Sequence, residues 1–147
     1  MKTSTAEYPC SIGVGTDRYP ATVTSVGHTD KYILLTVQQD RYSHISGNEY
    51  ENNALFSYTR NPEGTIRWFR VRLKDLVKKA SGWHGSWFRI DETEPTYIAS
   101  PFNANWDGIR FWKHVLWNKE TSRWNIEEHS SYRLFLGARN YFIDPHH

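Results

Sequence analysis

Two runs between residues 17 and 37 constrain the fold more than any other part of the chain. Asp17-Arg18-Tyr19-Pro20-Ala21-Thr22-Val23-Thr24-Ser25-Val26 and Tyr32-Ile33-Leu34-Leu35-Thr36-Val37 are dominated by Thr, Val and Tyr, whose branched or aromatic side chains suit a pleated surface. Gly27-His28-Thr29-Asp30 supplies turn residues between them, so the pair is expected to form a β-hairpin. Pro20 sits near the first strand's start, where a missing N–H does least harm. Just upstream, Gly13-Val14-Gly15 has the spacing of a phosphate loop but lacks a third glycine and a Lys-Ser/Thr pair. It reads as the turn into the first long strand.

The same alternation recurs downstream. Ala54 to Thr59 has strand composition, Asn61-Pro62-Glu63-Gly64 is a type I turn in sequence form, and residues 65–73 leave it as a strand. On that strand Ile66, Trp68, Arg70 and Arg72 share one face, while Arg67, Phe69, Val71 and Leu73 share the other, and only the second is core-like. Leu73, Leu76 and Val77 fall at i, i+3, i+4, which predicts one short helix over 73–80. Short strands are expected over 83–90, 96–99, 109–117, 123–126 and 132–136. Residues 1–10 read as a loose lead-in, and the polar segment 39–53 as a long excursion between strands. Many short strands with frequent turns predict an all-β fold, a small antiparallel barrel or sandwich with an SH3-like N-terminal half. At 147 residues the chain fits a single domain, 1–147.

Charge is unevenly placed. The net charge is +2. Residues 60–90 nevertheless hold eight cations, Arg60, Arg67, Arg70, Arg72, Lys74, Lys78, Lys79 and Arg89, against Glu63 and Asp75, a local +6 that leaves −4 for the rest. A basic stripe on a nearly neutral chain favours an anionic ligand at one place. Seven Trp and nine Tyr exceed ordinary packing needs, so some rings should serve as contact surfaces. Cys10 is the single cysteine, which excludes an intramolecular disulfide and suits a reducing, cytoplasmic compartment. No apolar run approaches the ~20 residues that span a bilayer, and no signal-peptide pattern opens the chain, so no membrane partner is expected.

Gly13 to Val26, with its Asp17-Arg18-Tyr19-Pro20-Ala21-Thr22-Val23 core, resembles the opening of a family of small bacteriophage and prophage proteins. The resemblance extends to the Asn61 to Gly64 turn, to a hairpin ending in Arg123-Trp124, and to a closing pattern of Leu134, Gly137, Arg139 and an aromatic at Tyr141 or Phe142. It covers roughly 11–65 and 110–147, and residues 66–109 read as an insertion. It implies a phage-encoded protein acting in the host-cell cytoplasm and implies no particular chemistry.

Binding residues are therefore sought in the insertion. Arg67, Trp68, Arg70 and Arg72, joined by Trp83, Trp87 and Arg89, interleave guanidinium groups with indoles, a pattern that pairs with phosphates and stacks on bases. The expected role is capture of a nucleotide or similar anionic ligand, with a counter-defence role inside the host. One alternative is a protein–protein inhibitor of a host defence enzyme, because Trp, Tyr and Arg also anchor interfaces. The other is a two-histidine phosphoesterase, from His44-Ile45-Ser46 and His129-Ser130-Ser131. No cofactor is implied, the histidines lack metal-ligand spacing, and assembly into a homo-oligomer is left open.

Overall fold

The computed structural model describes residues 1–47, 55–73, 112–137 and 139–143, and the backbone path of 77–78, 87–89 and 96–98. In chain order the strands are β1 (Lys2–Val14), β2 (Asp17–His28), β3 (Tyr32–Gln39), β4 (Arg41–Ser46), β5 (Leu55–Thr59), β6 (Ile66–Arg72), β7 (Val77–Lys78), β8 (Trp87–Arg89), β9 (Thr96–Ile98), β10 (Lys113–Asn118), β11 (Arg123–Ile126) and β12 (Tyr132–Leu136). Seven form one antiparallel sheet in the order β11-β10-β6-β3-β2-β1-β12, with β4-β5 and β7-β9-β8 as two small sheets. The fold is all-β.

One face of the large sheet holds the core. Cys10, Ile12, Ala21, Val23, Ile33, Leu35, Val37, Phe69, Val71 and Leu134 are all buried there, joined by Trp112. Their alternation along each strand follows from the two-residue side-chain period of a pleat. The sheet curls over this cluster until β10 and β12 approach each other: the His114 and Tyr132 rings lie 5.2 Å apart, and the Arg67 guanidinium sits 3.6 Å over Tyr132. No backbone ladder joins β10 to β12, so the sheet stays open and the SH3-like barrel does not close.

The outer face divides into two halves. Over β1 and β2 it is crossed by the C-terminal strap, residues 139–143. Asn140 N–H donates to Ser11 Oγ at 2.8 Å, and Phe142 pairs with Arg18 where β3 has ended and left that edge of β2 open. Arg139 reaches the buried Asp40, donating from Nε to Oδ2 at 2.7 Å, and from Nη2 to Thr22 Oγ1 at 2.9 Å. Thr22 in turn donates to Asp40, and Arg60 Nε stands 3.8 Å from its other oxygen. The strap also anchors the β4–β5 hairpin, because Tyr141 stacks on Tyr42 at 3.8 Å and meets the Phe56 ring edge-on at 4.8 Å.

Several expectations need correction. Residues 2–10 are not a loose lead-in and Gly13 and Val14 are not turn residues: all lie in β1, which pairs with β2 from Lys2 to Val14, and the turn is confined to Gly15 and Thr16. The signal was a faint alternation, with Ser4, Ala6 and Tyr8 shielded and Thr5 and Glu7 exposed. Arg41–Ser46, placed in an excursion, is a strand that pairs with β5; every residue of it is exposed, so it carries no hydrophobic pattern. Val77 and Lys78 are extended and pair with β9 instead of continuing a helix. An i, i+3, i+4 match two turns long cannot offset the cost of helix nucleation by itself. Residues 74–76 and 79–80 of that expected helix lie outside the described residues, as does Trp83. β6 pairs with both β3 and β10, so the expected insertion of 66–109 begins with a strand integral to the large sheet.

The buried carboxylate sets a testable stability difference. Arg139→Ala removes the closest cation from Asp40, whose side chain has no exposed surface. Breaking a buried pair costs about 3–5 kcal/mol, and the lower end applies because Arg60 remains nearby. Urea unfolding should show that loss for Arg139→Ala, whereas Ile66→Ala, at a residue 44% exposed, should stay within about 0.5 kcal/mol of the parent. Equal stabilities for the two variants would contradict the strap's role.

Candidate functional site

The outer half that the strap does not cross lies over β3, β6, β10 and β11, and among the described residues no other strand packs on it. The strand registers arrange it in rows, because residues opposite each other in an antiparallel ladder share a face. Tyr32 lies beside Arg72; Leu34 beside Arg70 and Lys113; Thr36 beside Trp68, Val115 and Ile126; and Gln38 beside Ile66. Trp117 and Trp124 form a cross-strand pair one row further along β10 and β11. Cations thus gather at one end of the face and indoles at the other. Leu34 and Val115 are buried on this face, apart from the inner cluster. Their cross-strand partners Arg70 and Trp68 therefore also act as a lid over apolar surface, as long amphipathic side chains do.

The three indoles touch in sequence. Trp124 lies 5.4 Å from Trp68 and 5.2 Å from Trp117, the second contact edge-to-face. Trp117 is 47% exposed, while Trp68 and Trp124 are half-buried. Arg70 links this ladder to the cationic end: its Nη1 donates to the Trp124 carbonyl at 3.0 Å, and its guanidinium lies 5.5 Å over the Tyr32 ring. Beyond it opens a cleft of about 490 Å³ lined by Asp30, Lys31, Tyr32, Arg70, Arg72 and Leu73. Among the described residues, three cations face one carboxylate there, and Lys31 and Arg72 are exposed.

Of the expected site residues, Trp68, Arg70 and Arg72 are brought together on this face. Arg67 is not: it belongs to the inner side, where its guanidinium stacks on Tyr132. A one-residue step along a strand reverses the face, so its neighbours' role does not transfer to it. Trp87 and Arg89 lie in β8, whose side chains are outside the described residues. Lys31, Tyr32, Trp117 and Trp124 were missed. Trp117 and Trp124 flank the 118–123 turn symmetrically, which makes them cross-strand partners in any tight hairpin, and that spacing was the available signal.

Catalytic alternatives find little geometry. His44 lies in β4 with its ring tilted against Phe56, 5.4 Å away, while His129 lies in the turn before β12. The most enzyme-like group is His114, Glu127 and Ser130. Glu127 Oε2 lies 2.5 Å and Ser130 Oγ 3.3 Å from the same ring nitrogen, Nδ1. Nucleophilic machinery needs the acid and the hydroxyl on opposite ring nitrogens, so this group clamps the 127–130 turn to β10. The Cys10 thiol is fully buried, and burial with Asp40 nearby raises its pKa far above the ordinary thiol range, which makes it unreactive. Among the described residues, no three His, Cys, Asp or Glu side chains cluster as metal ligands would, and no helix is long and apolar enough to cross a membrane. No family model, curated protein or solved structure matches the chain.

His114 carries a pH dependence whose sign follows from its surroundings. Burial, joined by the nearby Arg67 cation, lowers its pKa below the ordinary 6.5 against the opposing pull of Glu127. The unfolded chain therefore takes up this proton at a higher pH than the folded one, so the contribution is complete above about 6.5 and is lost as pH falls. Melting temperatures at pH 7.5 and 5.5 should show a larger acid-side loss for the parent than for His114→Asn. A parent that gains stability on acidification relative to the variant would reverse this assignment.

Proposed function

We propose that the open outer face of β3, β6, β10 and β11 binds an anionic, ring-bearing ligand of the nucleotide class, and that the protein works as a binding module. The observation that carries this reading is the position of Arg70. Bonded to the Trp124 carbonyl and lying over Tyr32, it stands between three contiguous indoles and a cleft with Lys31 and Arg72. A base stacked on indole gains about 1–3 kcal/mol, and phosphate oxygens beside it meet guanidinium groups that can bond them bidentately. Trp68 and Arg70 are already held in place by neighbours, so little side-chain entropy is lost on binding. Ligand capture within a host cytoplasm, as a phage counter-defence function, is the physiological role proposed for this surface.

A second reading, an interface that blocks a host protein, is favoured by a different element. The β4–β5 hairpin exposes Ile45 at 62%, Leu55 at 59% and Tyr42 at 41%. Aromatic and aliphatic side chains displayed on a two-stranded projection are suited to protein contact.

Titration of tryptophan fluorescence with ADP separates the two. Loss of one charge-assisted contact costs ~1.5–3 kcal/mol, so Lys31→Ala and Arg72→Ala should each weaken ADP binding roughly ten- to a hundred-fold with the melting temperature unchanged. Parent-like affinity in both variants would remove the cleft from the site. Absence of ADP binding together with capture of a host protein abolished by Ile45→Asp would favour the hairpin reading.

A further inference from the structure

The dimensions of the open face say more about the ligand than its composition does. Along β6, Arg72 and Trp68 are four residues apart, and Trp117 lies on the adjacent β10 level with Ile66, because Val115 faces Trp68 and the two strands run antiparallel. Six residues of strand at about 3.3 Å each put Trp117 roughly 20 Å from the Arg72 end, one strand spacing of about 4.8 Å to the side. Within one nucleotide the base and its phosphate are separated by a single sugar. A phosphate held in the cleft by Lys31 and Arg72 can therefore bring its own base as far as Trp68 and the Trp124 ring beside it, but not to Trp117.

We infer that the occupant of this face is a single-stranded oligonucleotide of about four nucleotides, with phosphates at the Lys31–Arg70–Arg72 end and successive bases over Trp68, Trp124 and Trp117. This rests on the nucleotide-binding reading and specifies its ligand. The repeat is about 3.4 Å per phosphate in a stacked strand and roughly twice that in an extended one, so a strand splayed along the strip covers its length of about 20 Å with three to four nucleotides. Trp117 lies beyond a mononucleotide seated in the cleft, yet it continues the same aromatic row and is half exposed to solvent. Charge complementarity agrees: Lys113, exposed on the same face, adds a fourth cation beside Arg70. Sequence readout is not expected, since indole faces stack on any base.

The test is fluorescence titration of the full chain with dTMP, with oligo-dT of two, four and eight nucleotides, and with oligo-rU of eight. Affinity should rise at least roughly tenfold from dTMP to the tetramer and then level off, since each added stacked base is worth a sizeable factor. With about three phosphates neutralised, log affinity for the octamer should fall with log salt at a slope near −2. Trp117→Ala should erase the gain with length, and Trp117→Tyr, which keeps a ring, should retain most of it. Tight binding of either backbone supports the inference, and the tighter one identifies DNA or RNA as the strand. If dTMP binds as tightly as the tetramer, or if Trp117→Ala leaves octamer affinity intact, the oligonucleotide assignment fails while nucleotide binding stands. If no member of the series binds, both fail.

Discussion

The buried pairing of Asp40 with Arg139 is the contact on which the arrangement of the outer surface depends. A carboxylate with no exposed surface is tolerable only when a cation and further donors satisfy it. Here Arg139 and the Thr22 hydroxyl do so, with Arg60 close behind. Because Arg139 lies 99 residues from Asp40, satisfying that carboxylate obliges the chain's end to cross the sheet. The strap then buries Ser11 and Thr22, completes the open edge of β2 through Phe142, and offers Tyr141 as the surface on which the β4–β5 hairpin stacks. One polar cluster thereby organises three otherwise separate pieces.

The strap also leaves the opposite half of the same face to aromatic and cationic side chains. Arg70 and Arg67 show how strand alternation divides that chemistry. Both are partly buried over aromatic rings, yet Arg67 points to the inner side and closes the gap between β6 and β12, whereas Arg70 points outward between the Trp ladder and the cleft. A guanidinium fixed by a backbone carbonyl and a ring face is pre-organised for an anion, because its rotamer is set before the ligand arrives. Gly13 marks a comparable close approach elsewhere on the outer side. A Cβ there would lie 2.6 Å from the Phe135 ring, which in turn carries the Arg18 guanidinium 3.8 Å above it.

Strands with β-branched or aromatic alternation beside a turn signal were legible in the sequence, including the largely exposed β5 and β11; β1 and β4 were not. The β2–β3 hairpin, β6, the β10–β11 hairpin and β12 follow from β-branched alternation and turn residues. The Asn61 to Gly64 turn forms as expected, closed by Gly64 N–H on the Asn61 carbonyl at 2.9 Å. Gly64 is required there, since a Cβ would lie 2.0 Å from the Gln39 carbonyl oxygen. β4 was illegible because nothing on it is buried, and β1 because Thr, Ser and Glu mask a period of two in its first half and two glycines gave its end the look of a turn. The site was half legible: Trp68, Arg70 and Arg72 share a face by local alternation alone. Tyr32, Lys31, Trp117 and Trp124 join them only through strand order, which places β6 between β3 and β10 and which no local pattern encodes. The Asp40–Arg139 pair was likewise invisible, being a contact between distant points of the chain.

In the proposed division of labour, one half of the outer face is scaffold and the other half is the ligand surface. Two-dimensional NMR of the indole and backbone N–H groups, recorded while an eight-nucleotide oligo-dT is added, tests this most directly. The account predicts that the Trp68, Trp117 and Trp124 indole signals and the amides of β6 and β10 shift together, while the buried Trp112 and strap residues 139–143 stay still. Shifts confined to the β4–β5 hairpin or the strap, with the three indoles unmoved, would contradict it.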